Sequence, residues 1–90
     1  MKDLCFTTPN LMSLLHKENR RQIEKWGEQD RSSAEWLMFA TEELGETAKA
    51  IGEFQFRGGL DEEVVKEAIQ TATLCLKIAE MFQAKRHKVP

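Results

Sequence analysis

Three glutamates crowd into five residues of this chain, Glu42, Glu43 and Glu46, and a fourth, Glu67, follows after 20 intervening residues. Carboxylates are hard oxygen donors of the kind Mg²⁺ or Mn²⁺ takes, and the side-chain carbonyl of Gln70, three residues beyond Glu67, is another. A cation held by Glu43, Glu46, Glu67 and Gln70 is the chemistry these residue types suggest. Carboxylates near apolar surface lose hydration, and their repulsion at i,i+3 or i,i+4 costs roughly 0.2–0.5 kcal/mol per pair even in water. A divalent cation offsets both penalties. The plain alternative is a solvated glutamate face supported by Lys49, with Glu67 paired to Arg57 or Lys49 and Gln70 a core amide. The Glu-x-x-His motif of di-iron bundles is missing, since Ser13 and Ala84 stand three residues before His16 and His87.

Helices must position these groups. Breakers divide the chain into three stretches. Thr8-Pro9 starts the first, Gly27 stops it, and an almost wholly polar run over 16–22 predicts a break near His16. Ser32-Ser33-Ala34-Glu35 fits a capping box for the second, which runs to Gly58-Gly59. Asp61 is the expected cap of the third, with Glu62 and Glu63 favourably placed against its dipole, and the helix extends to about Lys85. No period-2 run or hairpin dipeptide marks a strand, so residues 1–90 read as one all-α domain.

Unrolling the second helix at about 100° per residue gathers Trp36, Ala40, Leu44, Thr47, Ile51 and Phe54 on one face. Glu43 and Glu46 border that face, whereas Glu42 and Glu53 lie towards water. On the third helix, Val64, Leu74, Ile78, Met81 and Phe82 surround Glu67, and Val65, Ile69, Ala72, Leu76 and Ala79 form a second apolar column nearly opposite. Cys75 reads as a small core hydrophobe, and Trp26 and Trp36 as core anchors. A helix apolar on two sides needs cover on two sides. The expected architecture is therefore an antiparallel helical bundle completed by homo-oligomerisation, as a dimer or tetramer.

Composition limits the partners. The chain has 13 basic and 15 acidic residues and is 41% hydrophobic. That is too apolar for disorder and too interrupted for a membrane span. Residues 42–67 hold eight acids against three bases, whereas residues 68–90 hold one acid against four bases. An acidic middle beside a basic tail suits a bound cation with an anionic ligand nearby, and no basic stripe suggests nucleic acid. Two distant cysteines, Cys5 and Cys75, with no apolar leader, predict a cytoplasmic protein with reduced thiols.

Glu42-Glu43-Leu44-Gly45-Glu46 followed by Glu67-Ala68-Ile69-Gln70 resembles the MazG-like nucleotide pyrophosphohydrolases, whose pattern is E-E-x-x-E on one helix and E-x-x-D on the next. The similarity covers about Trp36 to Phe82. Arg21-Gln22 through Lys25-Trp26-Gly27-Glu28-Gln29 also looks like the lead-in of a phage-type branch of such proteins. The resemblance implies an oligomeric helical bundle and Mg²⁺ on the inward carboxylates. It further implies hydrolysis of a nucleoside triphosphate to monophosphate and pyrophosphate. Glu43, Glu46, Glu67 and Gln70 would hold the metal and Glu42 would orient or deprotonate the water. Lys25, or Lys85, Arg86 or Lys88 of the basic tail, would contact phosphate, with no spacing to single one out, and Trp26 would stack on the base. Gln70 stands where the family has aspartate, which removes one negative charge. A second expectation follows from that departure: a catalytically degenerate module that binds nucleotide or a protein partner without turnover.

Overall fold

The computed structural model describes residues 3–4 and 10–85. Cys5, the Thr8-Pro9 helix start and the basic tail Arg86-His87-Lys88 lie outside the described residues. Three helices account for the fold: α1 (Asn10–Trp26), α2 (Ser33–Phe56) and α3 (Asp61–Gln83). Among the described residues there is no strand, and no helix is long and apolar enough to cross a membrane.

Helix α1 does not break at His16; it runs unbroken through its polar middle. Side-chain pairs one turn apart support that stretch, with Arg21 and Gln22 both bonded to Glu18. The helix stops where expected. Gly27 has φ +74°, a conformation costly for any residue with a Cβ, and its amide donates to the Ile23 carbonyl at 2.7 Å.

The capping box of α2 is complete. The Glu35 amide donates to Ser32 Oγ at 3.2 Å, and the Ser32 amide donates to Glu35 Oε1 at 3.1 Å. The Ser32 contacts hold the Glu35 carboxyl below its usual pKa. At the far end Gly58 takes φ +71°, turning the chain so that the Arg57 and Gly59 amides both reach the Glu53 carbonyl. The start of α3 differs from expectation. Leu60 is the cap and makes no side-chain bond, while Asp61 is already helical and joins Glu62 and Glu63 in the first turn. There they act through the helix dipole.

Helices α2 and α3 form an antiparallel hairpin, and α1 packs on α3. The core is small: Trp36, Ala40 and Leu74, with Phe39, Ile78 and Met81 packed against them. Trp36 and Phe39 meet edge to face, their centroids 6.3 Å apart. The face of α2 expected to be covered is covered only in part. Trp36, Ala40 and Thr47 turn inward, but Leu44 is 59% exposed and Ile51 and Phe54 are also exposed. The line of contact with α3 passes through Trp36, Glu43 and Thr47, rotated from the centre of the apolar sector towards the glutamates. Cys75 is exposed for a related reason: it lies in the sector of α3 turned away from α1, beside Val65 and Leu76, which are also exposed. By helical periodicity, Leu37, Leu44 and Ile51 of α2 and Ala68, Cys75 and Ala79 of α3 border one side of the hairpin, opposite α1.

Candidate functional site

The glutamates occupy the other side. Glu42, Glu43 and Glu46 from α2 and Lys66, Glu67 and Gln70 from α3 line an open groove of about 560 Å³. Four carboxylates against one ammonium leave it strongly negative, and Lys66 is itself 3.8 Å from Glu63. Glu43 and Glu67 are half-buried where the helices meet, whereas Glu42 and Glu46 are exposed along the rim.

Gln70 joins the two inner carboxylates. With its nitrogen turned towards them, the amide donates to Glu43 Oε2 at 2.9 Å and to Glu67 Oε2 at 3.1 Å. The same amide turned by half a rotation would put three oxygens against one another, an arrangement that needs a cation or a proton to stabilise it. The hydrogen-bonded setting satisfies all three groups; the all-oxygen setting is the one that could accept a cation.

A proton relieves the repulsion between the two carboxylates. Burial, a hydrogen bond shared with Glu67, and repulsion from Glu67, Glu46 and Glu18 together push the Glu43 carboxyl up to about 7. Below that pH the pair keeps a proton; above it two bare carboxylates face each other.

One turn further along, a pair of hydroxyls ties the helices together. Thr47 Oγ1 and Thr71 Oγ1 are 3.2 Å apart, and they reach the Glu43 and Glu67 carbonyls at 3.0 and 2.9 Å. Two hydroxyl hydrogens serve three contacts, and either hydroxyl can donate across the pair.

The four residues expected to hold a cation therefore share a groove, but only Glu43, Glu67 and Gln70 meet at a point. Glu46 sits a helical turn from Glu43 and about 60° round the axis. Among the described residues, no three histidine, cysteine, aspartate or glutamate side chains converge as a ready-made ligand set. The donors are nevertheless hard oxygens with unneutralised charge, which suits Mg²⁺ once Gln70 presents its carbonyl. Arg57 lies 3.8 Å from Glu53 and not on Glu67, whereas Lys49 shares a cleft near the α2–α3 turn with Glu46, Glu53, Glu63 and Glu67.

A second cavity of about 350 Å³ adjoins the groove and shares Glu42, Glu43 and Gln70 with it. Its apolar walls include Trp26, Trp36, Phe39 and Leu74, and Arg21 and Arg31 bring positive charge to it. The two expected ligand contacts separate here. Trp26 reaches this cavity and is 52% exposed, so it is not a core anchor, unlike Trp36. Lys25 instead lies over the outer face of the Trp26 ring, 4.6 Å from its centroid. Arg31 stacks on Phe39 at 4.8 Å and is shared between Gln29 and Glu35. Arg21 belongs to the Arg21–Gln29 lead-in without a role read from it, and Arg31 and Phe39 carry no spacing signal; the docking of α1 and the turn before α2 bring all three to the carboxylates.

No family model, curated protein or solved structure matches this chain.

Proposed function

We propose that the protein is a Mg²⁺-dependent nucleoside triphosphate pyrophosphohydrolase of MazG-like type, acting as a homo-oligomer. One observation carries this reading: Glu43 and Glu67 confront each other across two helices with Gln70 between them, in a groove that also holds Glu42 and Glu46. Repulsion of this kind is unfavourable for folding and is relieved by a cation or a proton. The adjoining cavity, with aromatic walls and guanidinium groups, has the chemistry to take a flat ring joined to an anionic chain.

Glu43, Glu46, Glu67 and Gln70 would hold the ion, Mn²⁺ serving in place of Mg²⁺. When bound, it would offset charge on the phosphate oxygens as water displaces pyrophosphate from the α-phosphorus. Glu42 is exposed on the groove rim, free to orient a water and take its proton. The Trp26 ring offers a stacking surface, and Lys25, held against that ring, a positive charge at the outer edge. Water adds its oxygen to the α-phosphorus as the bond to the bridging oxygen breaks, giving nucleoside monophosphate and pyrophosphate.

The apolar side of the hairpin supports the oligomeric part of the reading. Among the described residues three hydrophobic side chains are buried, while Leu37, Leu44, Ile51, Val65 and Leu76 are all exposed. A second copy laid against that side would cover them in an isologous interface, as two-fold dimers do.

A second reading rests on Gln70. Its amide satisfies both carboxylates without any metal, as expected of a relative that keeps the scaffold and binds nucleotide or a protein partner without turnover. Incubation with Mg²⁺ and a panel of ribo- and deoxynucleoside triphosphates, with products resolved by chromatography, separates the two. The hydrolase reading predicts monophosphate plus pyrophosphate, lost in Glu43→Gln. Nucleotide-dependent thermal stabilisation with no product supports the binding module, and diphosphate plus phosphate contradicts both.

A further inference from the structure

Helix α1 is docked by a polar residue. Gln22 is the one buried side chain of α1, at 8% exposed, and an unpaired amide there would cost roughly 1–3 kcal/mol. Both ends of the amide are engaged. Lys77 Nζ of α3, held over the Trp36 ring, donates to Gln22 Oε1 at 2.6 Å, and Gln22 Nε2 donates to Glu18 Oε2 at 2.7 Å. Glu18 in turn accepts from Arg21 Nε at 2.8 Å and from Arg21 Nη2 at 2.7 Å. A leucine or methionine at position 22 would dock the helix with no such requirement. What the polar chain adds is a fixed direction for the Arg21 guanidinium.

That direction leads to the site. Arg21 lines the cavity shared with Glu42, Glu43 and Gln70, close enough to Glu43 for the two charges to interact, while its ion pair is made with Glu18. Glu18 engages one edge of the guanidinium, Nε and Nη2, so the Nη1 hydrogens remain for a further acceptor. Burial pushes the Glu18 carboxyl up, but the hydrogen bonds from Arg21 and Gln22 outweigh it and hold the group ionised. A guanidinium held by one carboxylate, with donors to spare, matches the geometry of a phosphate oxygen pair.

We propose that Arg21 is an anion-binding residue of this groove, contacting a phosphate of the bound ligand, and that Glu18, Gln22 and Lys77 position it. The proposal deepens the nucleotide reading and rests on it for the source of the phosphate. The shared chemistry is a phosphate oxyanion, whether carried by a nucleotide or by free polyphosphate.

The test is the affinity of the full chain for inorganic tripolyphosphate and for a non-hydrolysable nucleoside triphosphate, both with Mg²⁺, measured by calorimetry. Arg21→Gln should weaken both about tenfold or more, the loss of one charged hydrogen-bonding group. Arg21→Lys should recover part of the loss by restoring charge without the fork. Gln22→Met should weaken binding by roughly threefold to tenfold, in the positioning role, with affinity for Mg²⁺ alone unchanged. Unchanged tripolyphosphate affinity in an Arg21→Gln protein that melts like wild type overturns the proposal. So does a wild-type chain that binds neither probe. Arg21-dependent binding without any turnover leaves this proposal standing and removes the hydrolase reading.

Discussion

The two sides of the α2–α3 hairpin are built on opposite plans. One side carries α1, a groove of four glutamates, and a chain of hydrogen bonds from Lys77 through Gln22 and Glu18 to Arg21. The other carries Leu37, Leu44, Ile51, Val65 and Leu76, all exposed among the described residues. The same two helices serve both because their contact line is rotated towards the glutamates. Glu43 and Thr47 sit where a two-helix hairpin would ordinarily place leucines, and the displaced apolar residues face outward. Stability is given up on the polar side, where Glu43 is held against Glu67, and the proposed second copy would return it on the apolar side.

The largest effect expected from breaking this arrangement is on turnover. Glu67→Gln should lower the proposed hydrolysis by roughly 100-fold or more, since loss of even an outer partner of a metal site costs about 10–100-fold. The initial rate with Mg²⁺ and the preferred nucleotide measures it, and a Glu67→Gln rate within twofold of wild type removes Glu67 from the site. On the opposite side, Leu44→Glu should split the proposed homo-oligomer. Sedimentation equilibrium should then read the 10.4 kDa monomer in place of a multiple of it, because an unpaired charge in an interface costs about 3–5 kcal/mol. A wild-type chain that already sediments as a monomer at high concentration would leave the apolar side without its proposed partner.

Gln70→Asp sharpens the polar side further. It restores a negative charge next to Glu43 and Glu67, so Mg²⁺ affinity by titration should rise by about tenfold if the groove holds a cation. A purely structural amide would instead show only a lower melting temperature. The smallest effect is on stability against pH. Because the Glu43 carboxyl is raised from 4.5 to about 7 in the fold, ionising it costs stability. That penalty is absent below pH 4.5, grows between 4.5 and 7, and is complete above 7. Glu43→Gln removes the penalty. After screening of a largely solvated group it should be about 1 kcal/mol, or a melting temperature higher by roughly 4–8 °C at pH 8 without Mg²⁺. At pH 4 the two proteins should melt together.

Much of this was legible from residue types and spacing. The capping box at Ser32, the stops at Gly27 and Gly58, and the approach of Glu43 to Glu67 all follow from local rules and helical periodicity. What escaped those rules depends on tertiary contact. The break expected at His16 does not occur because the polar run is where α1 makes its network, and Gln22 is buried by Lys77, which no local pattern announces. Cys75 reads as core because its neighbours are apolar, yet among the described residues it is exposed, on the sector of α3 turned away from α1. Arg21 stands in the Arg21–Gln29 lead-in, but nothing in that stretch says that it meets the carboxylates, and Arg31 and Phe39 lie in no motif; all three reach the site through tertiary contact.

Hydrolysis of the preferred nucleoside triphosphate in ¹⁸O-labelled water with Mg²⁺, followed by mass analysis of the products, tests the central claim most directly. Attack of water on the α-phosphorus in the glutamate groove predicts one labelled oxygen in the nucleoside monophosphate, unlabelled pyrophosphate, and loss of both products in Glu43→Gln. Label in free phosphate or pyrophosphate, or the same products from Glu43→Gln at an undiminished rate, would contradict it.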